Sequence, residues 1–589
     1  MVDFGEILEA LGGFGVFQKV LLFALCFPNL ILPFHFASVL FNNANTSHHC
    51  NTNWILQVGP NLSKEEQLHL TVPILEDGSF SPCLMYKPVD LNLSAIQEYG
   101  LNETSSCIDG WVHNDAMYDS TIITDFDLVC GNANSLRVAQ TVLMAGILVG
   151  GLLFGPLSES LGRKRATQIP VVLMLIFTVV TGLAPYFYVY VISQFIIGIC
   201  YGGFRINCVI LATEWTGTAQ RSYGSCLSQV LSSLGQVVFL ALIYYLRDWR
   251  MCQFIMAAPI GFVVLYIWFI PESARWLLDR GRPEDAKELI QKAAKINKRT
   301  IPESLMEKVL SEKPAEREGI KILFASPVLR KYFIIISFAW AALTQAYYSL
   351  SLNVGKFGLN IFLTQLIFGL SELPVHFVCI WLLEAVGRKA SLMGTLLVGG
   401  LFCILTIAIP QGNYIAVTAL ATFGRLLMNG AGSVTNVYIQ ELFPTSIRQT
   451  ATGLGATAAR VGSLLSPVLG MLEVYHYSIP TVVFSSLAIT SGALVFMLPE
   501  TRCTELPDSV EEAEGKRYLY STTTALCCLK WFSNFFGVRP PLCRIHCFMA
   551  PQIKTYNLKL RILIKRKIYS VIQCRNINYL GLWSYFSDV

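Results

Sequence analysis

Long apolar stretches separated by short polar segments run along almost the whole chain. About twelve of them are long enough to cross roughly 30 Å of hydrocarbon, which takes about 20 helical residues each. They lie at 16–41, 136–157, 166–184, 188–212, 224–246, 251–270, 332–352, 359–383, 390–410, 413–439, 450–472 and 480–498. The pattern predicts an all-α membrane protein with twelve transmembrane helices.

Three short charged motifs return once, in the same order, between these stretches. The motifs and their repeats are Gly162-Arg163-Lys164 with Gly387-Arg388-Lys389, Glu214 and Arg221 with Glu441 and Arg448, and Pro271-Glu272-Ser273 with Pro499-Glu500-Thr501. Such a repeat predicts two parallel six-helix bundles related by pseudo-symmetry, an organisation found in secondary transporters. We expect the halves at 16–270 and 332–498, joined by a helical linker at 271–331.

Composition and charge agree with this organisation and orient it. Of the 589 residues, 53% are hydrophobic and 14% are charged, whereas soluble domains carry about a quarter charged residues. The basic residues concentrate in alternate loops, and basic loops face the cytoplasm. We therefore place segment 1–15, the linker and the tail 499–589 in the cytoplasm of a multi-pass plasma-membrane protein.

The long segment 43–135 then lies outside the cell as a loop after the first helix. Its N-glycosylation sequons begin at Asn45, Asn61, Asn92 and Asn102, and such sequons are used on extracellular surfaces. Its cysteines are Cys50, Cys83, Cys107 and Cys130. Four cysteines in an extracellular segment predict two disulfides, with three possible connectivities that remain open.

The last part of the chain, 516–589, differs from the rest because it is strongly basic and has no clear pattern. We interpret it as an alternative or mispredicted C-terminus. The second interpretation is a basic tail that binds anionic lipid, with Cys527 and Cys528 as acylation sites.

Catalytic signatures are missing from the sequence. We find no Gly-rich phosphate loop, no zinc-ligand spacing and no nucleophile elbow. The sequence therefore predicts neither an enzyme nor an ATP-driven pump, and no cofactor, metal or nucleic-acid partner. A channel and a signalling receptor built on a transporter fold are the rival classes.

Several segments resemble a known family. Residues 155–164 (GPLSESLGRK) resemble the loop signature of the major facilitator superfamily, and 120–130 (STIITDFDLVC), 271–277 and 441–448 resemble its organic ion transporter family. The resemblance covers about residues 1–505 and implies the major facilitator fold with transport by alternating access. Short segments at 48–50, 82–85 and 363–369 are similar to the organic anion branch that exchanges urate and nicotinate.

The repeated charged residues have a physical role that needs no resemblance. Basic side chains at a cytoplasmic helix end favour the helix carbonyls and the interface, and Glu214 can pair with them or with Arg221. Such pairs tie helices together on one side of the membrane, which suits a gate. The alternative is that these residues only fix topology.

Arg460 is the sharpest candidate for binding substrate, because it lies deep in the eleventh apolar stretch. An arginine at the membrane centre costs roughly 2.5–3.5 kcal/mol on insertion scales. Its planar fork of donors suits a carboxylate or a urate-like anion. The alternative is a structural ion pair with an acid such as Glu372.

The resemblance refines this interpretation. Cation-carrying members of the family have acidic residues at the positions of Arg460 and Ser433, so the resemblance implies a small organic anion as substrate and a counter-anion for exchange. Carnitine-type members also have Arg at the first position. A carnitine-like zwitterion, or an organic cation, therefore remains the alternative substrate.

The remaining candidates lie in other membrane helices. His376 changes charge in a mildly acidic range and has Glu372 four residues before it, so it either helps to bind anions or is a neutral histidine bonded to a neighbour. Arg205 is a further intramembrane arginine that either lines the pathway and adds positive potential or pairs with an acid. Arg425 matches a basic position found across the family and is either a binding residue or a structural one. The other predicted binding residues, by their resemblance to pocket positions in the family, are Trp340, Tyr347, Tyr348, Asn29 and Tyr244.

Overall fold

The computed structural model describes residues 4–34, 47–76, 78–114, 120–216, 221–306, 320–353, 359–410, 413–444 and 447–502. The predicted glycosylation site Asn45 and the basic tail 516–589 lie outside the described residues. The side chain of Arg221 lies outside them as well.

Every predicted apolar stretch contains a helix of at least 11 residues. The helices are α1 (Val16–Cys26), α2 (Ser135–Leu161), α3 (Arg163–Gly182), α4 (Phe187–Glu214), α5 (Arg221–Leu246), α6 (Trp249–Ile267), α7 (Pro327–Leu352), α8 (Ile361–Ala385), α9 (Arg388–Ala408), α10 (Tyr414–Leu442), α11 (Arg448–Met471) and α12 (Ile479–Val495). Within the described residues, nine helical stretches are long and apolar enough to cross a membrane. Helices α10 and α11 are long enough but less apolar, and α12 is shorter, with 17 residues.

Shorter elements lie in the segments between the membrane helices. Short helices occupy Phe4–Ala10, Lys64–Thr71, Leu93–Tyr99, Ile122–Asp125, Ala274–Asp279, Pro283–Ile296 and Ile320–Ala325. The linker between α6 and α7 therefore contains helices at Ala274–Asp279, Pro283–Ile296 and Ile320–Ala325, as the spacing of its charged residues predicts. Helix α1 continues into a 3₁₀ turn at Phe27–Leu30.

The loop between α1 and α2 holds the β-structure of the described chain, which the sequence analysis did not predict. Its strands are β1 (Ser47–Cys50), β2 (Leu84–Tyr86), β3 (Thr104–Ser106) and β4 (Trp111–Asn114). They form two antiparallel pairs, β1 with β4 and β2 with β3. Because all four strands are short, this loop leaves the fold class all-α.

Two disulfides hold these strands and the start of α2 together. Cys50 is bonded to Cys107 and Cys83 to Cys130. The two predicted disulfides are thus confirmed, and one of the three possible connectivities is selected. The cross-links tie down a segment whose short strands bury little apolar surface of their own.

The buried apolar side chains form two large clusters that follow the chain order. The first draws on α1, α3–α6 and the linker helix, with Leu25, Phe204, Phe239 and Ile290 fully buried. The second draws on α7–α12, with Ile336 among its fully buried members. Each cluster is built almost entirely from one of the two predicted halves.

Glycines allow α2 and α4 to pack with their backbones in contact. A Cβ on Gly150 would come 2.1 Å from the carbonyl oxygen of Ile199, and one on Gly202 would come 2.4 Å from that of Ile147. Since no larger residue fits this spacing, the glycines of α2 and α4 act as the small-residue interface that membrane helices use for close approach.

This packing makes opposite predictions for two helical glycines. Gly202→Ala should lower the apparent melting temperature of the full-length protein in detergent, because forcing a methyl group into a packed interface costs about 1–3 kcal/mol. Gly261→Ala in α6 is the matched control: nothing lies within 4 Å of its Cβ position, and alanine favours a helix by about 1 kcal/mol over glycine. An unchanged melting temperature for Gly202→Ala, or an equal loss in both variants, would contradict the packing.

Candidate functional site

The first charged motif builds a cluster at the junction of α2, α3 and α4. Arg163 donates from Nε to Glu214 Oε1 at 3.3 Å and from Nη1 to Ser158 Oγ at 3.1 Å. The backbone N–H of Lys164 donates to Glu272 Oε1 at 3.0 Å. Of the two pairings that the sequence allows for Glu214, the structure thus shows the one with Arg163.

The repeated motif builds the same cluster in the second half. Arg388 donates from Nη2 to Glu441 Oε1 at 2.9 Å. The backbone N–H groups of Arg388 and Lys389 donate to the two carboxylate oxygens of Glu500, at 2.7 and 3.1 Å. In both halves a glutamate therefore satisfies the free N–H groups at the start of a helix and neutralises the positive end of its dipole.

The glycine of each motif is required by this geometry. Gly162 and Gly387 have φ angles of +98° and +105°, which L side chains rarely adopt. A Cβ on Gly162 would also come 2.4 Å from Glu272, and one on Gly387 would come 2.9 Å from Glu500. Both glutamates belong to the sequence repeat, although neither is among the predicted gating residues.

Arg448, the last member of the predicted gate, bonds within its own half. Its Nε donates to the carbonyl oxygen of Phe443 at 3.2 Å. The corresponding Arg221 has no described side chain. The motif residues that the structure describes thus join helices of one half: Arg163 joins α3 to α2 and α4, and Arg388 joins α9 to α10.

An ion pair joins the two halves at the opposite end of the bundle, next to the long loop. Arg137 at the start of α2 donates from Nη2 to Glu473 Oε2, just after α11, at 2.8 Å. Arg137 also donates to the carbonyl oxygen of Gly470. Sequence analysis missed this pair because both residues lie at helix ends, where charged residues are common.

A second ion pair lies in the middle of the bundle and is almost completely buried. Glu372 of α8 and Arg425 of α10 approach to 2.7 Å, with side chains 5% and 3% exposed. Glu372 also accepts from Tyr347 Oη at 2.8 Å and, across the halves, from Ser233 Oγ of α5 at 3.1 Å. Arg425 donates from Nε to Ser351 Oγ at 2.8 Å. Both charges are therefore compensated within the protein.

This arrangement decides which arginine Glu372 neutralises. Sequence analysis left open an ion pair between Glu372 and Arg460, but the structure pairs Glu372 with Arg425 instead. Among the described residues, no carboxylate forms an ion pair with Arg460. The guanidinium of Arg460 lies directly against Gly151 of α2, at the interface of the two halves.

The other predicted binding residues are divided between this interface and the packed interior. Tyr348 interacts electrostatically with Arg460, whereas Tyr347 stacks under Arg425 at 4.6 Å. His376 Nδ1 lies 3.2 Å from Ser433 Oγ, so the imidazole has a hydroxyl partner. The ring of Trp340 packs against the position of Gly455 in α11.

Asn29 and Tyr244 contact residues other than Arg460. Asn29 is buried and donates to the carbonyl oxygen of Cys26 at 3.1 Å. Tyr244 is about half exposed and packs edge-on against Phe362 of α8, with ring centroids 5.4 Å apart. Asn29 is thus held by its own helix, and Tyr244 helps to join α5 to α8.

The described sequons of the long loop are accessible. Asn61, Asn92 and Asn102 are all exposed. Asn92 precedes the short helix Leu93–Tyr99 as its N-cap residue. A glycan can be attached only to an exposed asparagine, so these three positions remain predicted glycosylation sites.

Comparison with known proteins gives the class of the chain. A model described as "Sugar (and other) transporter" matches residues 102–511. The fold resembles the proton:xylose symporter XylE bound to 6-bromo-6-deoxy-D-glucose, with a TM-score of 0.54 and 16% identity over 86% of this chain and 99% of that one. It also resembles XylE from E. coli in an inward open conformation, with a TM-score of 0.53. The structure therefore has the major facilitator fold.

Sequence relatives narrow the class. Human solute carrier family 22 member 13 is 39% identical over 516 residues, which cover 87% of this chain and 94% of the relative. Solute carrier family 22 member 6-B of Xenopus laevis is 34% identical over 528 residues, covering 87% and 95%. Human member 14 is 33% identical over 530 residues, covering 87% and 89%. The chain belongs to solute carrier family 22 and is a multi-pass membrane transporter of the major facilitator superfamily.

The buried ion pair predicts a stability effect. Glu372→Gln should strongly lower the apparent melting temperature, because removing one partner of a buried pair costs about 3–5 kcal/mol. The double variant Glu372→Leu with Arg425→Met should recover part of the loss, since it buries no unpaired charge. The matched control is Glu103→Gln, which breaks an exposed pair with Lys87 and should change little. Equal melting temperatures for Glu372→Gln and Glu103→Gln would contradict the prediction.

Proposed function

We propose that this transporter carries small organic anions, such as urate, nicotinate and similar monocarboxylates, by alternating access in the plasma membrane. We further propose that it exchanges one anion for another. The observation that carries the proposal is Arg460: a guanidinium at the interface between the halves, without a carboxylate partner among the described residues.

The charge balance of the bundle centre supports an anion over a cation. Glu372 is the acid that could have attracted a cation, and it is neutralised by Arg425. Arg460 therefore leaves the centre with a net positive charge. A bound carboxylate or urate would compensate this charge with two parallel hydrogen bonds from the guanidinium.

The residues around Arg460 suggest how a flat anion would be held. We assign Tyr348 and Trp340 to the wall of the cavity, where aromatic rings stack on planar ligands. His376 with Ser433 supplies polar groups from α8 and α10. Tyr347 and Arg425 act on the site indirectly, because both of them bind the carboxylate of Glu372. Asn29 and Tyr244 complete the predicted set from α1 and α5.

The charged clusters support alternating access. At the loop end, Arg137 and Glu473 tie the halves together, while the repeated motifs tie helices within each half. We propose that the motif clusters keep each half rigid while the halves rock about the central site, and that their end is the cytoplasmic gate. With both termini on that side, the long loop faces outward.

Replacing Arg460 tests the proposal. Arg460→Ala should lower the uptake clearance of radiolabelled urate and nicotinate about ten- to hundredfold, because a hydrogen bond to a charged group contributes about 1.5–3 kcal/mol. Arg460→Lys keeps the charge but loses the bidentate geometry, so it should retain an intermediate rate. Rates are normalised to the amount of protein at the cell surface.

Competition completes the test. Unlabelled urate, nicotinate and a dicarboxylate should inhibit uptake by the wild-type protein, whereas carnitine should not. Inhibition by carnitine and not by the anions would favour the zwitterion alternative. No saturable flux of any organic ion would contradict the proposed function and leave a receptor role.

A further inference from the structure

Arg205 lies at the same level of the bundle as Arg460, on the other side of the interface between the halves. A Cβ on Gly202 of α4 would come 3.2 Å from the backbone nitrogen of Gly151 in α2. Gly151 is the residue against which the Arg460 guanidinium packs. Because Arg205 follows Gly202 by three positions, the two share one face of α4. The geometry therefore brings the two arginines toward one space.

The surroundings of Arg205 agree with this placement. Its guanidinium interacts electrostatically with Tyr201 of its own helix and with Tyr348 of α7. Arg205 and Arg460 also repel each other electrostatically. Since Tyr348 and Arg460 belong to the second half, Arg205 faces the interface and not lipid. The Arg205 side chain is exposed, so neighbouring side chains do not seal it off.

Neither arginine is neutralised by an acid. No carboxylate of the described residues forms an ion pair with Arg205 or Arg460, and the nearest buried acid, Glu372, is held by Arg425, Tyr347 and Ser233. Two guanidinium groups from opposite halves, neither of them in an ion pair with an acid of the described residues, thus lie close enough to repel each other. Such a pair is stable only while water or an anion lies between the charges.

We propose that Arg205 is a second anion-binding residue, and that the Arg205–Arg460 pair makes passage through the occluded state depend on a bound anion. This inference rests on the proposed function and adds the physical reason for exchange. Each half contributes one guanidinium, so the bound anion bridges the halves and Tyr201 and Tyr348 flank it.

The dependence on an anion follows from closure of the cavity. When the halves close over an empty cavity, water leaves and the repulsion between the two arginines grows as the local dielectric falls. An anion between them converts this repulsion into two attractive contacts. The loaded carrier therefore occludes more readily than the empty one, since a ligand favours the state that it binds more tightly. A carrier that returns only when loaded is an exchanger.

Proteoliposomes containing the full-length protein test this inference. Uptake of radiolabelled nicotinate is measured into vesicles preloaded with unlabelled nicotinate and into empty vesicles, and the ratio of the two rates reports the exchange requirement. For the wild type we expect a ratio of about ten or more, the factor that corresponds to one charge-assisted contact. Arg205→Ser should reduce the ratio severalfold and weaken the apparent affinity for nicotinate.

Two further variants separate the effect of the positive charge at Arg205 from the effects of side-chain shape and of position in the protein. Arg205→Lys keeps the positive charge and should keep most of the ratio. Arg330→Ser removes a positive charge from an exposed position in the first turn of α7 and should leave both ratio and affinity unchanged. A wild-type ratio in Arg205→Ser, or an equal change in Arg330→Ser, would overturn the inference while anion transport by the wild type stands.

A stability measurement covers the case in which Arg205→Ser transports poorly for other reasons. Removing one of two repelling charges should raise the melting temperature of the anion-free protein in detergent and reduce the further increase that saturating nicotinate produces. Unaltered stabilisation by nicotinate in Arg205→Ser would refute the role of Arg205. Absence of nicotinate and urate transport by the wild type would instead refute the proposed function, and this inference with it.

Discussion

The buried ion pair between Glu372 and Arg425 is the interaction on which the centre of this transporter depends. A single charge in the membrane interior is costly, and a buried pair is tolerated when good geometry and additional hydrogen bonds support it. Tyr347, Ser233 and Ser351 supply such hydrogen bonds, while Nη1 of Arg425 has no hydrogen-bond partner among the described residues. Because the pair neutralises Glu372, this acid is not available to Arg205 or Arg460, and neither of them forms an ion pair with any other acid of the described residues.

The two halves have matching contacts at the start of α3 and at the start of α9. A glutamate from the chain after the sixth or twelfth helix accepts hydrogen bonds from the first N–H groups of α3 or α9. Arginines of the same motif reach Glu214 or Glu441. Only glycine permits the required backbone at Gly162 and Gly387. The sequence repeat therefore corresponds to an electrostatic contact that is repeated in each half and that ties its helices together.

Contacts between the halves differ from those within them. Within a half, glycines bring α2 and α4 to backbone contact, so helices cannot shift without losing close packing. Between the halves, α2 packs along α11 and α5 packs along α8. Polar contacts such as Arg137–Glu473 and Ser233–Glu372 accompany this packing. Polar contacts of this kind can break and reform at lower cost than a packed glycine interface, which is what a rocking motion requires.

The sequence alone determined the membrane helices, the repeat, the disulfide cysteines and the presence of Arg460, because hydrophobic length and charge pattern are local properties of the chain. The tertiary structure decided the partners: Arg425 for Glu372, Cys107 for Cys50, and Arg205 as the neighbour of Arg460. Partner choice depends on which residues of distant helices meet at the same depth. That depth is set by helix packing across the bundle, which no single stretch of sequence contains.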